Sequence, residues 1–500
     1  MNNPVPPTEL ALPGIPETVD TARVVDEMVR RASSLGYESW WQRAESVGFC
    51  AHPIQLTGSD DYGRQQTVWT RCNNRRAHIC PSCSDLYARD IWQLVHAGAA
   101  GGHHDMPNTV ADRPQVFLTL TAPSFGLVHT TTKSRDTNQV CRDHDRIGGR
   151  RRCPHGKPMW CSITHDHDDD QVGQPLCREC YDYVGHVLFT WHLPELWRRF
   201  TITLRRALRK VLKAANADPD AVRVSFLKIV ELQARAIPHI HALIRLDPHD
   251  DPDQTDWESP IGAGELATII QHAARSVALT VTDPTADRAV RTISFGSQID
   301  TQPLGPTPAP ALSASRGQNS GPGRSLSGRQ VARYLAKYVT KSLADLGISA
   351  RRLSSEAIGG LDVSEHVRTI LTTISDLADQ GVSGISRWLH TLGFRGHITS
   401  KSRRYSTTMT ALRQHRATWT REQHAKSTAQ QDGSIWRHDS NRAVDENDLV
   451  AWEFDRAGHT SLGERTLIIT AALRCIQQRH AAREARQPRN LDTPVEVPDG

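Results

Sequence analysis

His239 and His241 stand one residue apart in the stretch Ile237-Pro238-His239-Ile240-His241-Ala242-Leu243-Ile244-Arg245-Leu246. Proline entry and strict alternation read as a β-strand, with both imidazoles on one face and Ile240, Ala242 and Ile244 on the other. Two neutral imidazoles from one strand can hold a divalent cation on a sheet surface open to substrate. Residues 224–231 read as a neighbouring strand that ends on Glu231, a third ligand by adjacency, with Gln233 competing from the same face. Downstream, Tyr334 and Tyr338 lie four apart in a helical stretch, about 40° apart in azimuth and within roughly 6 Å at Cβ. Lys337 and Lys341 repeat that spacing. A cation held by two imidazoles and a carboxylate polarises a phosphodiester as a Lewis acid. A phenol, protonated at neutral pH because its pKa is about 10, attacks phosphorus more readily when a cation and an activated phosphate are at hand. Such an attack leaves a phosphotyrosine bond and a free 3′-hydroxyl. Each piece alone has a plainer reading: a solvated histidine pair, or one core tyrosine flanked by solvated lysines. Their combination favours the chemistry.

The ten cysteines carry a second signal. Cys80-Pro81-Ser82-Cys83 and Cys177-Arg178-Glu179-Cys180 are Cys-x-x-Cys knuckles, which let two thiolates grip one tetrahedral zinc. Seven residues separate Cys72 from Cys80 and likewise Cys153 from Cys161. The expected sets are Cys50, Cys72, Cys80 and Cys83, with His52 and His78 as substitutes for Cys50, and Cys153, Cys161, Cys177 and Cys180. Cys141, His144, His155, His165 and His167 remain spares for a second ion in the latter module. Residues 140–183 have almost no apolar periodicity, so bound metal must stand in for a core there. The role is structural, since an all-thiolate zinc has no open position.

The elements that must position these groups follow from periodicity. Residues 1–45 read as a flexible tail and 46–110 as a first zinc-binding module ending in a helix. Residues 111–130 hold a first catalytic strand, Gln115-Val116-Phe117-Leu118-Thr119-Leu120-Thr121, bounded by Pro114 and Pro123. An inserted zinc-binding module covers 131–185. The catalytic core spans 186–346: a long basic helix over 186–215, the two strands, a helix over 265–281, a strand over 289–295, a flexible loop over 301–328 and the tyrosine helix. Residues 347–435 read as a basic helical DNA-binding region and 436–500 as a helical tail.

In this order, Phe117-Leu118-Thr119-Leu120-Thr121, Pro238-His239-Ile240-His241 and Tyr334-Leu335-Ala336-Lys337-Tyr338-Val339-Thr340-Lys341 match the three motifs of HUH endonucleases. More closely, the chain resembles replication initiator proteins of actinobacterial rolling-circle plasmids. The blocks 75–83, 173–177, 392–397 and 400–407 carry that likeness, which covers roughly residues 48–410. The resemblance implies an α+β fold, an HUH endonuclease-type antiparallel sheet with packed helices, interrupted and preceded by the zinc-binding cysteine modules. It implies Mg²⁺ or Mn²⁺ at His239 and His241, with Glu231 as the inferred third ligand, and a nick at a single-stranded or hairpin origin. It implies Tyr338 as the nucleophile; the tyrosine pair resembles initiators in which two alternate, which makes Tyr334 a candidate second nucleophile, with Lys337 and Lys341 beside them. The long cysteine-rich insertion between the first and second motifs departs from the pattern.

Bulk properties agree. The 500 residues suffice for two or three domains. At 38% hydrophobic and 23% charged, the chain is folded rather than disordered. Net charge is only +5, but Arg198, Arg199, Arg205 and Arg206 crowd one helix, and Arg395, Lys401, Arg403 and Arg404 one loop; both are expected to meet DNA. No apolar run spans a bilayer and no secretory signal opens the chain, so a cytoplasmic protein without membrane contact is expected, with plasmid DNA and a host helicase as partners. Two other classes compete: a two-tyrosine HUH transposase, which requires element ends, and a zinc DNA-binding regulator, which forms no covalent adduct.

Overall fold

The computed structural model describes residues 19–59, 65–131, 151–166, 169–250, 257–286, 289–305, 326–339, 352–431 and 451–485, with 12, 15, 141, 254, 346 and 348 singly. In chain order come α1 (Thr21–Ala32), α2 (Tyr37–Ser46), β1 (Ile54–Ser59), β2 (Gln65–Thr70) and α3 (Pro81–Ala100). Then follow β3 (Gln115–Leu120), α4 (Tyr183–Ala214), β4 (Val222–Leu232), β5 (Pro238–Pro248), α5 (Ala263–Ser276), β6 (Ala278–Thr282), β7 (Val290–Ser294) and β8 (Ile299–Pro303). Last come α6 (Gly328–Tyr338), α7 (Glu365–Asp379), β9 (Thr399–Lys401), α8 (Met409–Gln431), β10 (Ala451–Ala457) and α9 (Leu462–Ala485). The chain divides into two compact units, residues 1–89 with 421–500, and residues 90–420.

In the first unit β1 lies between β10 and β2, antiparallel to both. Asp20 caps α1 by accepting from the backbone N–H groups of Ala22 and Arg23, satisfying donors that a helix start leaves open. Trp40, Ala44 and Phe49 pack against Ile468 and Ala472 of α9. Glu27 accepts from the Gly463 amide at 2.9 Å, and Arg31 pairs with Glu464. The flexible tail expected over 1–45 is thereby corrected from residue 21 onward, because residues 21–46 form two packed helices; nearly all of residues 1–18 lie outside the described residues. The separate tail expected over 436–500 is corrected over residues 451–485, since β10 and α9 complete the unit that holds the first cysteines. Both partnerships are long-range, which local periodicity does not register.

The second unit is built on a five-stranded antiparallel sheet in the order β8-β3-β5-β4-β9. The histidine strand β5 is therefore central, and β3 pairs with it despite the insertion between them. Leu118, Ile240, Ala242, Ile244 and Val230 point into one large core shared with Leu196, Phe200 and Leu204 of α4 and Leu266 and Ile270 of α5. Alternation sends Thr119, Glu231, His239 and His241 to the opposite face. Two expectations change. The helix over 265–281 ends at Ser276, and the β-branched run Thr280-Val281-Thr282 pairs with β7. Residues 301–303 belong to the edge strand β8 rather than to the flexible loop over 301–328, of which 306–325 lie outside the described residues.

At the far end of the same face three buried charges lock the strands. Arg245 Nε donates to Asp247 Oδ1 at 2.6 Å, and Arg113 Nη1 to the same oxygen at 2.8 Å. Burial would raise the Asp247 carboxyl, but the neighbouring guanidiniums overcome it and hold the group below the usual carboxylate range. Asp247→Asn leaves two buried guanidiniums without their counter-charge and should cost about 3–5 kcal/mol. Chemical denaturation monitored by tryptophan fluorescence checks this.

Candidate active site and metal centres

Glu231 lies directly across the sheet from His239, and Thr119 directly across from His241. The two imidazoles stack nearly parallel, with centroids 4.8 Å apart and planes at 13°. Thr119 Oγ1 is 3.1 Å from His241 Nδ1, and Glu231 Oε2 is 3.3 Å from His241 Nε2. Gln233, the competing third ligand, instead hydrogen-bonds Nδ1 of His239 at 2.6 Å, so it orients the ring. His239 Nε2 is buried with no hydrogen-bond partner. Burial, reinforced by His241 and opposed by Glu231, pushes the His239 imidazole down to about 3, so it is neutral at pH 7 as a metal ligand must be. A ligating Nε2 requires Nδ1 to carry the proton, which turning over the Gln233 amide allows by presenting Oε1; the present orientation accepts from Arg235 Nε at 3.3 Å.

The tyrosine helix α6 starts from a capping box. The Ser327 side chain accepts from the Gln330 N–H, while the Gln330 side chain accepts from the Ser327 N–H. A bridge between Leu304 and Leu326 ties that start to the end of β8. The helix buries Val331, Ala332 and Leu335 and leaves Tyr334 39% exposed. The Tyr334 ring stands edge-on to His241 at 5.2 Å and to Phe117 at 5.7 Å. Tyr338 follows one turn later on the same helix, its side chain outside the described residues, and Lys337 is exposed. Lys341 lies outside the described residues.

The turn between β4 and β5 is held by two buried histidines. His186 Nε2 bonds the Ala236 carbonyl at 3.3 Å and His366 Nε2 the Arg235 carbonyl at 3.1 Å. Tyr181 and Tyr183 hydroxyls meet their Nδ1 atoms at 2.9 and 3.1 Å. Burial pushes His186 down to about 3 and His366 to about 4. Periodicity marks neither residue, because each works through a carbonyl about 50 or 130 positions away.

Three groups among the described residues bring four potential metal ligands within 4.8 Å of one another. Cys50, Cys72, Cys80 and Cys83 form the first, the same four that the spacing suggests. Backbone N–H groups of Ala51 and Cys72 donate to the sulfurs of Cys80 and Cys50 at 3.3 and 3.4 Å. Hydrogen bonds from Cys50, Cys72 and Cys80 hold the Cys83 thiol far below its ordinary range. The expected set Cys153, Cys161, Cys177 and Cys180 is corrected, for Cys161 is not a member. His155 takes its place, 3.3 Å from Cys180 Sγ and 3.7 Å from Cys177 Sγ. A tight turn closed by Gly156 N–H to the Cys153 carbonyl at 2.9 Å carries His155 back to the knuckle. Cys161 joins His129, Cys141 and His165 in the third group. His239, His241 and Glu231 do not form such a convergent group.

The basic residues divide by what they already touch. Arg198 and Arg199 pair with Glu195 at 2.7 and 3.1 Å. Arg395 lies 4.3 Å over the Trp191 ring, and Lys401 Nζ donates to the Ser406 carbonyl at 2.9 Å. Arg205, Arg403 and Arg404 line a cavity of about 520 Å³ with Arg223 and His249; Arg206 is exposed nearby on α4. Arg223, missed among the sequence candidates, sits five residues from the next cation, Lys228, in a largely apolar strand and so shows no cluster in one dimension.

Residues 36–473 match the family model described as RepSA: Replication initiator protein, pSAM2. The chain is 35% identical over 494 residues to a replication initiator protein of Streptomyces ambofaciens, covering 94% of this chain and 97% of that protein. No solved structure matches it.

Apart from kinship, the two buried histidines at the turn set an acid limit. Their folded-state values lie below the ordinary imidazole pKa of about 6.5, so their stabilising effect is complete above that pH and is lost as pH falls toward about 4. The denaturation midpoint should decline over that window, and His366→Phe should lessen the slope by about one proton.

Proposed function

The chain belongs to the replication initiator family of pSAM2, and we propose that it starts rolling-circle replication as an HUH-type nuclease that nicks one strand of origin DNA through a tyrosine. The observation that carries this reading is the pair of stacked imidazoles with an orphaned His239 Nε2 and a tyrosine ring edge-on to His241. His239, His241 and Glu231 offer two imidazole nitrogens and a carboxylate oxygen, a mixed donor set that suits Mn²⁺ better than the oxygen-seeking Mg²⁺ and that would have to draw together around the ion. Such an ion, when bound, would polarise the scissile phosphate.

The protein's own groups do the rest. Thr119 fixes the His241 ring through Nδ1, and Gln233 fixes that of His239. The phenol oxygen of Tyr338 bonds to phosphorus as the bond from phosphorus to the 3′-oxygen breaks, and the leaving oxygen takes up a proton as the phenol loses one. The products are a 5′-phosphotyrosyl link and a free 3′-hydroxyl primer. Tyr334 is the second nucleophile, placed to end a round by the same transesterification. Lys337 and Lys341 supply positive charge toward the phosphate. Arg205, Arg206, Arg403 and Arg404 track the DNA backbone, whereas Arg198, Arg199, Arg395 and Lys401 chiefly brace the surface that carries them. Zinc at the Cys50–Cys72–Cys80–Cys83 and Cys153–His155–Cys177–Cys180 groups replaces apolar core locally. Among the described residues no helix is long and apolar enough to cross a membrane. A primer extended on duplex plasmid requires unwinding, which makes a host helicase in the cytoplasm the expected partner.

Incubating the full chain with a single-stranded origin oligonucleotide and Mn²⁺, then mapping adducts by mass spectrometry, tests the proposal. The downstream fragment, joined to tyrosine through its 5′-phosphate, is expected, and its absence in every origin strand tried would overturn the reading. Tyr338→Phe combined with Tyr334→Phe should lower adduct formation by about 10³-fold or more while leaving DNA binding near wild type. His239→Ala combined with His241→Ala should abolish cleavage; unchanged cleavage would place the ion elsewhere.

A further inference from the structure

We infer that His129, Cys141, Cys161 and His165 hold a zinc ion of their own, which fastens the inserted module to the turn that presents His239. This extends the zinc reading to a mixed two-cysteine, two-histidine centre, and it does not depend on the nicking chemistry.

Tetrahedral arms of about 2.0 Å to nitrogen and 2.3 Å to sulfur set ligand-to-ligand edges of roughly 3.3–3.8 Å. In the group, His129 Nδ1 lies 3.1 Å from His165 Nε2, Cys161 Sγ 3.3 Å from His165 Nε2, and Cys141 Sγ 3.9 Å from His129 Nδ1. These lie within a few tenths of an ångström of the edges of a ligand shell.

The protons point the same way. His165 Nδ1 lies 2.6 Å from Asp169 Oδ2, an acceptor-only partner that fixes the ring proton on Nδ1. The lone pair of Nε2 is then aimed at the centre of the group, and His165 is 1% exposed. A carboxylate behind an imidazole is the arrangement that orients histidine ligands of zinc. Cys141 is prepared as well, its sulfur accepting from the Thr130 N–H at 3.2 Å and its own N–H bonding the Ile163 carbonyl at 2.8 Å.

The ion would be more than a local clasp. The His129 carbonyl accepts from Gly173 N–H and its amide donates to the Gln174 carbonyl, both at 2.9 Å. Gly173 has φ +90°, and a Cβ there would come within 2.5 Å of the Ala234 carbonyl carbon. Only glycine permits that approach. Fixing His129 therefore fixes the backbone seated on residues 234–235, four or five positions before His239.

Thiol mapping and metal counting test this with the intact chain. Nine of the ten cysteines fall in the three groups and Cys475 stands outside them. In zinc-replete protein, iodoacetamide should modify Cys475 and spare Cys141, and a chelator should expose Cys141. Labelling of Cys141 as fast as Cys475 before chelation overturns the proposal. By native mass spectrometry Cys161→Ser should carry one zinc fewer than wild type, while His165→Cys should keep the wild-type number. Equal zinc content in wild type and Cys161→Ser overturns it, whatever the absolute count, and neither readout uses DNA.

Discussion

The antiparallel register of β5 against β3 and β4 is the constraint on which the second unit depends. Because a strand presents alternate residues to opposite faces, one pairing decides at once that Ile240, Ala242 and Ile244 enter the core and that His239 and His241 leave it. A slip of one residue would bury two imidazoles in hydrocarbon and put the isoleucines outside. Burial of the even-numbered face under α4 and α5 holds the register at one end of the free-energy balance. At the other, Arg113, just before β3, reaches Asp247 of β5, a buried contact between segments that a slipped pairing would break.

Around that sheet, polar groups do work usually left to apolar packing. The histidines His186 and His366 grip two consecutive carbonyls of the β4–β5 turn, where Ala236 adopts a left-handed φ of +62°. The same turn receives the Gly173 backbone from the cysteine-rich insertion. A segment with so few apolar side chains acquires a fixed shape only if something other than hydrophobic burial orders it. Its convergent cysteine and histidine groups are suited to that role.

For a replication initiator, positive charge is the expected currency of DNA contact, yet half of the arginines and lysines singled out by density are already engaged within the protein. Glu195 pairs with both Arg198 and Arg199, Trp191 stacks with Arg395, and Lys401 ties together carbonyls of its own loop. Arg205, Arg403 and Arg404 converge with Arg223 around one cavity. Charge density along the chain thus overstates the surface open to a polyanion, while convergence in space reveals a residue that density misses.

What the sequence by itself determined was local. Period-two alternation marked the histidine strand, helical spacing marked α4 and α6, and the Cys-x-x-Cys knuckles with their flanking cysteines marked the Cys50–Cys83 group. Each of these signals is complete within a few dozen residues. Tertiary structure alone decided the rest: that Cys161 partners His129 instead of Cys153, that Tyr334 meets His241, and that residues 21–46 pack on α9. It also decided that Gln233 orients His239 while Glu231 faces His241. Such choices are made by chain segments far apart in sequence, and one-dimensional spacing holds no record of which of several equivalent donors the fold will bring together.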